Sequence, residues 1–300
     1  MKSEFSVQLA TGETLKGLYF PAEEPKVNFV FITGMQEYSG RYEGMAEWMN
    51  KKGINVWVLD HFGQGLNAPK PEEQMRWPKG GFYKTVEGLH LVIELAKKNG
   101  LPTVQGGHSM GSFMTQARLE QYPGDTKGTL IIGSNGGQAF LMKVAHILAK
   151  MRASDKKWNE PDPMMANLGM GGYAKAVKDR KTDLDWLSYE EENVRKYIAD
   201  PYCGAMTTRG FWREFTDGMR RIWAGKEMDK VGKDERILLS SGEDDPVGQF
   251  GKGVKWLLAQ YEKRGLKNVE MKLYPHMRHE IHNEVDREKV YEDWAKFILG

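Results

Sequence analysis

Short, almost unbroken apolar runs alternate with longer amphipathic stretches along most of the chain. The clearest runs are Val27–Ile32, Ile54–Leu59 and Gly128–Ile132. Runs of this length are typical of strands that are buried on both faces of a parallel sheet. Residues 82–99, by contrast, repeat apolar side chains at the spacing of one helix face. The alternation predicts a parallel sheet with helices packed against it.

Weaker patterns extend this prediction to both ends of the chain. We predict a β-hairpin at 4–9 and 14–20, which turns at Thr11-Gly12-Glu13. The other predicted strands are 102–105, 236–240 and 269–274, and the other predicted helices are 42–53, 112–119, 250–264 and 284–298.

The block 137–228 has helical patterns but no strand pattern. Glycine, proline and methionine divide it into short predicted helices at 139–151, 164–167, 172–178, 188–199 and 209–222. Because the strand–helix alternation resumes after residue 235, this block is an insertion into one domain and not a separate tail. The predicted fold class is therefore α/β, a doubly wound and mostly parallel sheet. Its core is 1–136 and 229–300, and 137–228 is inserted into it.

The sharpest local signal is Gly107-His108-Ser109-Met110-Gly111, between a predicted strand and a predicted helix. A bare G-x-S-x-G occurs by chance in many glycine-containing turns, but the strand–turn–helix context is that of a nucleophile elbow. Such a turn holds a serine hydroxyl at its tip on a strained backbone. Gly107 and Gly111 let the strand and the helix pass closely. Ser109 is therefore the candidate nucleophile.

Composition narrows the class of protein. The chain has 300 residues, of which 40% are hydrophobic and 28% charged, as is ordinary for a globular protein. Its formal net charge is +2 and its basic residues are dispersed, so we expect no nucleic-acid partner. The single cysteine, Cys203, excludes an internal disulfide and fits a reducing compartment. With no apolar run of membrane-spanning length and no apolar signal core at 1–7, we expect a cytoplasmic protein.

A catalytic serine requires a histidine that takes its proton and an acid that orients the histidine. In the α/β-hydrolase arrangement both follow the serine along the chain, at the carboxyl ends of later strands. Strand 236–240 is followed by two candidate acids, Asp244 and Asp245. Strand 269–274 is followed by three candidate bases, His276, His279 and His282. Spacing alone chooses neither the acid nor the base.

Other roles for these histidines are less economical. The segment His279-Glu280-Ile281-His282 lacks the i, i+4 histidine pair of a zinc helix, because position 283 is asparagine, so we expect no metal. We expect the side chain of His108, inside the elbow, to point away from the acid–base pair. The oxyanion hole needs two N–H donors. We assign them to the backbone of Met110, directly after the nucleophile, and of Met35, in the loop after the first parallel strand.

Four segments carry a resemblance that covers about residues 5–298. The loop Thr33-Gly34-Met35-Gln36-Glu37-Tyr38-Ser39-Gly40-Arg41-Tyr42 resembles a His-Gly-x-x-Glu-His-Ser-x-Arg-Tyr motif, and Asp60-His61-Phe62-Gly63-Gln64-Gly65 resembles Asp-x-Arg-Gly-His-Gly. The elbow is identical to the family's, and 242–247 and His279 are similar to its acid and base loops. These are motifs of the monoacylglycerol lipase/lysophospholipase branch of the α/β-hydrolases, grouped with the serine aminopeptidase S33 domain.

The resemblance implies specific roles. In the family's pattern the aspartate before Pro246-Val247 is the triad acid, which favours Asp245. The histidine of Arg-His-Glu is the base, which favours His279. Residues 137–228 would form a helical cap over Ser109, and Asp200-Pro201-Tyr202-Cys203-Gly204 is similar to a cap segment of bacterial members.

The chain departs from the family's pattern at three positions. Thr33 and Tyr38 replace histidines, and Phe62 replaces an arginine. The first two bear on how the oxyanion loop is braced. Because the oxyanion donors are backbone groups, the departures affect rate or substrate and not the class of reaction.

The block 137–228 is rich in soft apolar side chains, namely Met142, Met151, Met164, Met165, Met170, Met206, Met219, Met228, Trp158, Trp186, Trp212 and Trp223. We expect most of them to be cap core residues, but such side chains also suit an acyl chain. A basic run, Lys143, Lys150, Arg152, Lys156 and Lys157, is usually a solvated face, and it would also suit transient contact with an anionic membrane surface.

The sequence thus predicts a serine carboxylester hydrolase that acts on a lipid-like ester, monoacylglycerol or lysophospholipid, without a metal or an organic cofactor. Two alternatives stay open. The same triad cleaves amide bonds in proline-type aminopeptidases, which would need an acidic group near the pocket for a free amine. A hydrolase fold also persists in some non-catalytic ligand-binding proteins, although these usually lose a member of the triad. The leaving group, the acyl length and the oligomeric state do not follow from the sequence.

Overall fold

A single eight-stranded sheet forms the centre of the molecule. The structure is a computed structural model that describes residues 2–300, so Met1, the first residue of the predicted core range, lies outside it. The sheet order is β1-β2-β4-β3-β5-β6-β7-β8. β2 pairs antiparallel with β1 and with β4, and the other neighbouring strands are parallel. The strands are β1 Ser3–Gln8, β2 Thr14–Phe20, β3 Val27–Ile32, β4 Ile54–Leu59, β5 Thr103–His108, β6 Gly128–Ile132, β7 Arg236–Gly242 and β8 Asn268–Tyr274.

Helices cover both faces of this sheet. The α-helices within the described residues are α1 Glu43–Asn50, α2 Gly81–Lys97, α3 Met110–Gln121, α4 Ala139–Arg152, α5 Pro163–Ala176, α6 Glu191–Ala199, α7 Arg209–Ile222, α8 Lys252–Lys263 and α9 Arg287–Leu299. α1 and α9 pack on one face, and α2, α3 and α8 pack on the other. Every residue of β3, β5 and β6 is therefore buried. The predicted fold class is confirmed.

The chain leaves the sheet after β6 and returns at β7, and α4 to α7 lie between these two strands. α7 packs against α4 and against the core helices α2 and α3. Two hydrogen bonds also fasten this segment to the loop before α2. Trp158 Nε1 donates to the carbonyl oxygen of Trp77 (2.6 Å), and the Thr208 hydroxyl donates to that of Met75 (2.7 Å).

The predicted helices 164–167 and 172–178 are wrong as separate pieces, since one helix, α5, runs through the glycines between them. Asp162 caps its first turn by accepting the N–H of Met165 (3.2 Å), and Pro163 occupies the first helical position. Gly169 lies against Trp212, where a Cβ would stand 2.5 Å from the indole. Tertiary packing thus outweighs the low helix propensity of glycine here.

Candidate active site

Ser109 lies in the turn between β5 and α3, with φ 53° and ψ −120°. A residue with a side chain is strained in this region. Its N–H donates to the carbonyl oxygen of Ile132 on β6 (2.9 Å), which fixes the turn. The strand and the helix pass so closely that a Cβ on Gly107 would overlap the backbone of Gly111, and one on Gly111 would overlap that of Ile32. The hydroxyl of Ser109 is thus held at the carboxyl edge of the sheet.

His279 and Asp245 form a buried pair on the loops after β8 and β7. His279 Nδ1 lies 3.0 Å from Asp245 Oδ2, and Asp245 also accepts the N–H of Val247 (2.8 Å). Burial opposes the charged imidazole, but the charge and hydrogen bond of Asp245 outweigh it and raise the pKa of His279. The pair fixes the orientation of the imidazole ring. Among residues 2–300, no hydrogen bond joins the Ser109 hydroxyl to His279.

The competing candidates lie in other surroundings. Asp244 accepts a hydrogen bond from the Tyr189 hydroxyl (3.0 Å). His276 is exposed in a turn with φ 54°. His282 is buried and stacks on Tyr42 at 4.9 Å between ring centroids, and burial lowers its pKa to about 3. None of the three contacts Ser109 through a hydrogen bond within the described part of the chain.

The expectation that His108 points away from the acid–base pair is wrong. Its ring centroid lies 4.6 Å from that of His279, and its Nε2 lies 3.1 Å from the backbone carbonyl oxygen of His279. Its Nδ1 lies 3.3 Å from Glu37 Oε1. His108 is the last residue of β5, and its side chain lies against the loop that follows β8. Its ring supports the backbone of His279, and within the described residues no hydrogen bond joins it to the Ser109 hydroxyl.

The predicted oxyanion turn lies directly beside Ser109. A Cβ built on Gly34 would stand 3.2 Å from the Cβ of Ser109. Met35 and Met110 line the same cavity as Ser109. Within residues 2–300 the backbone N–H groups of Met35 and Met110 have no hydrogen-bond acceptor, so both can donate to another molecule.

Sequence reasoning missed the side chains that hold this turn. Gln64, in the loop after β4, donates to the carbonyl oxygens of Gly34 (2.8 Å) and Glu37 (2.7 Å). His61 Nε2 lies 2.6 Å from the carbonyl oxygen of Thr33, and burial lowers its pKa to about 4. The resemblance included both residues in the segment 60–65, but their partners lie about 30 residues earlier in the chain. Only the pairing of β3 with β4 brings the two loops together.

A cavity of about 360 Å³ connects these groups, since Ser109, His279, Met35 and Met110 all line it. The rest of its wall is largely apolar and includes Phe113, Met142, Leu148, Trp212, Phe215 and Met219. Apolar walls with a few convergent polar groups are typical of small-molecule sites. A wider groove of about 960 Å³ runs along residues 176–195 but is lined by neither Ser109 nor His279. The candidate chemistry therefore belongs to the smaller cavity.

Two further carboxylates, Glu37 and Glu280, line this cavity. Both side chains are buried, and Arg41 Nη1 lies 2.7 Å from an oxygen of each. The cavity therefore holds no unpaired acid from either residue.

Within residues 2–300, three side chains that could bind a metal lie close together, namely His90, Glu94 and Asp125. None of them lines this cavity. Arg118 already donates to both oxygens of Asp125, and Lys97 Nζ lies 3.5 Å from one of them. These positive charges disfavour a cation there. No helix in the described part of the chain is both long and apolar enough to cross a membrane.

A model of the family described as serine aminopeptidase, S33, matches residues 23–286. The chain belongs to this family. The family that the sequence motifs indicated is thus confirmed. Because the S33 family is hydrolytic, the chain is an enzyme of the hydrolase class. The α/β-hydrolase fold brings the elbow, the acid loop and the base loop to one edge of its sheet.

Named relatives agree with this assignment. The S33 chain is 25% identical to a monoacylglycerol lipase of Mycolicibacterium smegmatis, over 94% of this chain and 91% of that protein. It is 28% identical to the human monoglyceride lipase, over 59% of this chain and 55% of that one. Its structure is similar to that of a thermostable carboxyl esterase from Bacillus coagulans in complex with glycerol, at 26% identity and a TM-score of 0.91. That similarity covers 100% of this chain and 99% of the other.

Proposed function

We propose that this S33 hydrolase cleaves carboxylic esters of lipid-like molecules through Ser109, His279 and Asp245. The observation that carries the proposal is that the strained serine lines one largely apolar cavity together with His279, which is paired with the buried Asp245. Ser109 attacks the ester carbonyl while His279 takes its proton. The alcohol leaves with that proton, and an acyl group remains on Ser109. Water, deprotonated by His279, then releases the acid.

In this mechanism Asp245 accepts the Nδ1 proton of His279 and stabilises the imidazolium that forms in each step. We assign the oxyanion hole to the backbone N–H groups of Met35 and Met110, which support the role because both are free and line the cavity. Preformed donors of this kind act on charge that develops only in the transition state. Every step uses side-chain and backbone groups of this chain, and none requires a metal or an organic cofactor.

We infer that residues 137–228 act as a helical cap over the core 1–136 and 229–300. Support comes from the cavity wall, since Met142 and Leu148 of α4, Met165 of α5 and Met219 of α7 line the same cavity as Ser109. Methionine and leucine adapt to a flexible apolar guest. An acyl chain of the substrate would occupy this part of the cavity.

Monoacylglycerol is the favoured substrate type, because the relatives that align over most or half of the chain carry that name. Lysophospholipid is the other lipid ester with one acyl chain that fits the proposal. The amide alternative needs a free acid for a substrate amine. Glu37 and Glu280 are both paired with Arg41 and so offer none, which disfavours it.

We also propose a transient contact between the cap and a membrane surface. α4 carries an exposed apolar stripe at helical spacing, formed by Phe140, Val144, Ile147 and Met151. The exposed lysines Lys143, Lys150, Lys156 and Lys157 lie on or next to the same helix. Arg152 is not part of this surface, because it pairs with Asp162 (2.8 Å). Apolar and cationic groups together favour an anionic lipid surface.

The proposed ester hydrolysis is tested with a p-nitrophenyl ester series from acetate to palmitate and with a monoacylglycerol. We expect hydrolysis by the wild type, a fall in kcat of roughly 10⁶-fold in Ser109→Ala, and full activity in the exposed control Ser6→Ala. The preferred chain length measures the acyl cavity. If pure, folded protein turns over none of these esters, the proposed function is wrong.

A further inference from the structure

Three buried charges lie between the oxyanion turn and the base loop. The side chains of Glu37, Arg41 and Glu280 are only 3%, 9% and 2% exposed. Arg41 Nη1 donates to Glu37 Oε2 (2.7 Å) and to Glu280 Oε1 (2.7 Å), and its Nη2 donates to Glu280 Oε2 (2.8 Å). One guanidinium thus serves two carboxylates, and the cluster has one net negative charge. Buried charges require such compensation.

Glu37 belongs to the oxyanion side of the site. Its Oε1 accepts the N–H of Gly34 (2.6 Å) and the hydroxyl of Tyr42 (2.5 Å). A Cβ built on Gly34 would meet both the Glu37 carboxylate and, at 3.2 Å, the Cβ of Ser109, so the carboxylate and the serine lie on the same side of Gly34. An oxyanion bound by the Met35 N–H would therefore form next to the Glu37 carboxylate. Like charges so close in a buried site repel strongly, so an uncompensated Glu37 would oppose the reaction.

Glu280 belongs to the base side, directly after His279. Asn193 of α6 and Asn283 each donate an amide hydrogen to its Oε2 (2.7 and 3.0 Å). The Glu280 N–H donates to the carbonyl oxygen of Leu187 (2.7 Å). The charged partner of this carboxylate is again Arg41, which also lies over the ring of Tyr197 at 4.8 Å.

Among the lysines and arginines within residues 2–300, Arg41 is therefore the one that pairs with a carboxylate on each half of the site. On the basis of the proposed ester hydrolysis, we propose that Arg41 is a positioning residue for that reaction. It neutralises Glu37 so that the oxyanion can form beside that carboxylate. Through Glu280 it also fixes the position of the His279 loop relative to the oxyanion turn. Arginine suits this role because its planar fork binds two carboxylates at once, which lysine does not do.

The first test compares Arg41→Met, Arg41→Lys and the matched control Arg195→Met, whose arginine forms an exposed ion pair with Glu192. We expect kcat to fall ~100-fold in Arg41→Met with little change in KM, because the repulsion grows only as the oxyanion forms. Arg41→Lys should lose less, and Arg195→Met should match the wild type. An Arg41→Met enzyme that is folded and keeps its kcat overturns the proposal.

The second test separates charge from scaffold. In Arg41→Met/Glu37→Gln the net charge of the cluster equals that of the wild type, and the glutamine oxygen can still accept the Gly34 N–H. We expect at least tenfold recovery of kcat over Arg41→Met, whereas a merely structural arginine predicts no recovery. If Arg41→Met does not fold, the double variant is compared with the wild type and with Arg41→Lys. In that comparison, activity well below that of Arg41→Lys contradicts the charge argument.

Labelling of Ser109 by a fluorophosphonate keeps this proposal separate from the ester proposal. The serine oxygen bonds to phosphorus, fluoride leaves, and the serine proton goes to His279, so the rate requires no knowledge of the natural substrate. If the wild type is labelled but hydrolyses no ester, the proposed function fails while the labelling rates of the variants still test Arg41. Equal labelling rates in the wild type and folded Arg41→Met would overturn it.

Discussion

Ser109 occupies a backbone conformation that costs roughly 1–3 kcal/mol, and its neighbours hold it there. The Ser112 hydroxyl donates to its carbonyl oxygen (2.6 Å), and its N–H is fixed to β6. Both bonds lie in the buried layer between β5, β6 and α3. The strain at Ser109 is thus offset by the core beneath it, so we expect substitutions in that layer to affect activity without touching substrate.

The acid of the proposed triad can be tested by a pair of neighbouring substitutions. In Asp245→Asn we expect kcat to fall ~10⁴-fold, because an amide no longer holds His279 in the productive tautomer. Asp244→Asn should stay close to the wild type, since Asp244 is bonded to Tyr189. Kinetics on one ester substrate measures both. Equal losses in the two variants would contradict the assignment of Asp245.

Residues near one another in sequence were easier to assign than residues that meet across the fold. The elbow could be predicted because its glycines, serine and flanking elements are contiguous. Asp245 and His279 needed the family resemblance, since spacing left Asp244, His276 and His282 open, and their contact depends on β7 lying beside β8. The wrong orientation of His108 and the missed role of Gln64 have the same cause, because their partners come from distant loops.

At the scale of elements, α5 is helical although part of its sequence has a low helix propensity. Gly169, Gly171 and Gly172 fall within one turn, and each glycine costs about 1 kcal/mol relative to alanine in a helix. The N-cap residue Asp162 and the packing of Gly169 against Trp212 therefore maintain the helix. Propensity predicted a break at this position, whereas strands and helices with stronger patterns, such as Val27–Ile32 and Arg209–Ile222, were predicted to the residue.

This balance gives a paired stability prediction. A Cβ on Gly172 would meet no atom within 4 Å, so Gly172→Ala should raise the free energy of unfolding by about 0.5–1 kcal/mol. Gly169→Ala should lower it, since its Cβ would stand 2.5 Å from Trp212. Urea unfolding followed by circular dichroism measures both changes. A lower free energy of unfolding in Gly172→Ala would mean that α5 is not stabilised in this way.

At the scale of the whole molecule, α4 lies between the solvent and the cavity that Ser109 lines. Leu141, Val144 and Leu148 line the cavity, and the first two are also exposed. Val144 thus belongs both to the cavity wall and to the apolar surface proposed to meet a membrane. The α/β class and the insertion were predictable from the alternation of patterns, but which side of the inserted helices would be exposed was not, because α4 is apolar on more than one face.

Exposed apolar residues of α4 that do not line the cavity allow the membrane contact to be tested alone. We expect Phe140→Ser/Ile147→Ser/Met151→Ser to bind anionic phospholipid vesicles at least about tenfold more weakly, since each side chain buries apolar area in the interface. Hydrolysis of a short soluble ester should not change. Cosedimentation with vesicles measures binding, and Ile198→Ser/Val285→Ser is the control for exposed apolar residues elsewhere. Equal binding by the triple variant and the wild type would exclude α4 as the contact.

The insertion between β6 and β7 has a consequence for how this chain can change. Because these strands are parallel, the segment between them leaves at the carboxyl end of β6 and returns at the amino end of β7, one strand length away, ~16 Å for five residues. Closing a loop costs free energy that grows only with the logarithm of its length, about 0.6 kcal/mol for each doubling. The sheet therefore tolerates an insertion of almost any size at this point. Substrate range can be rebuilt there by exchanging one continuous segment while the catalytic edge stays intact.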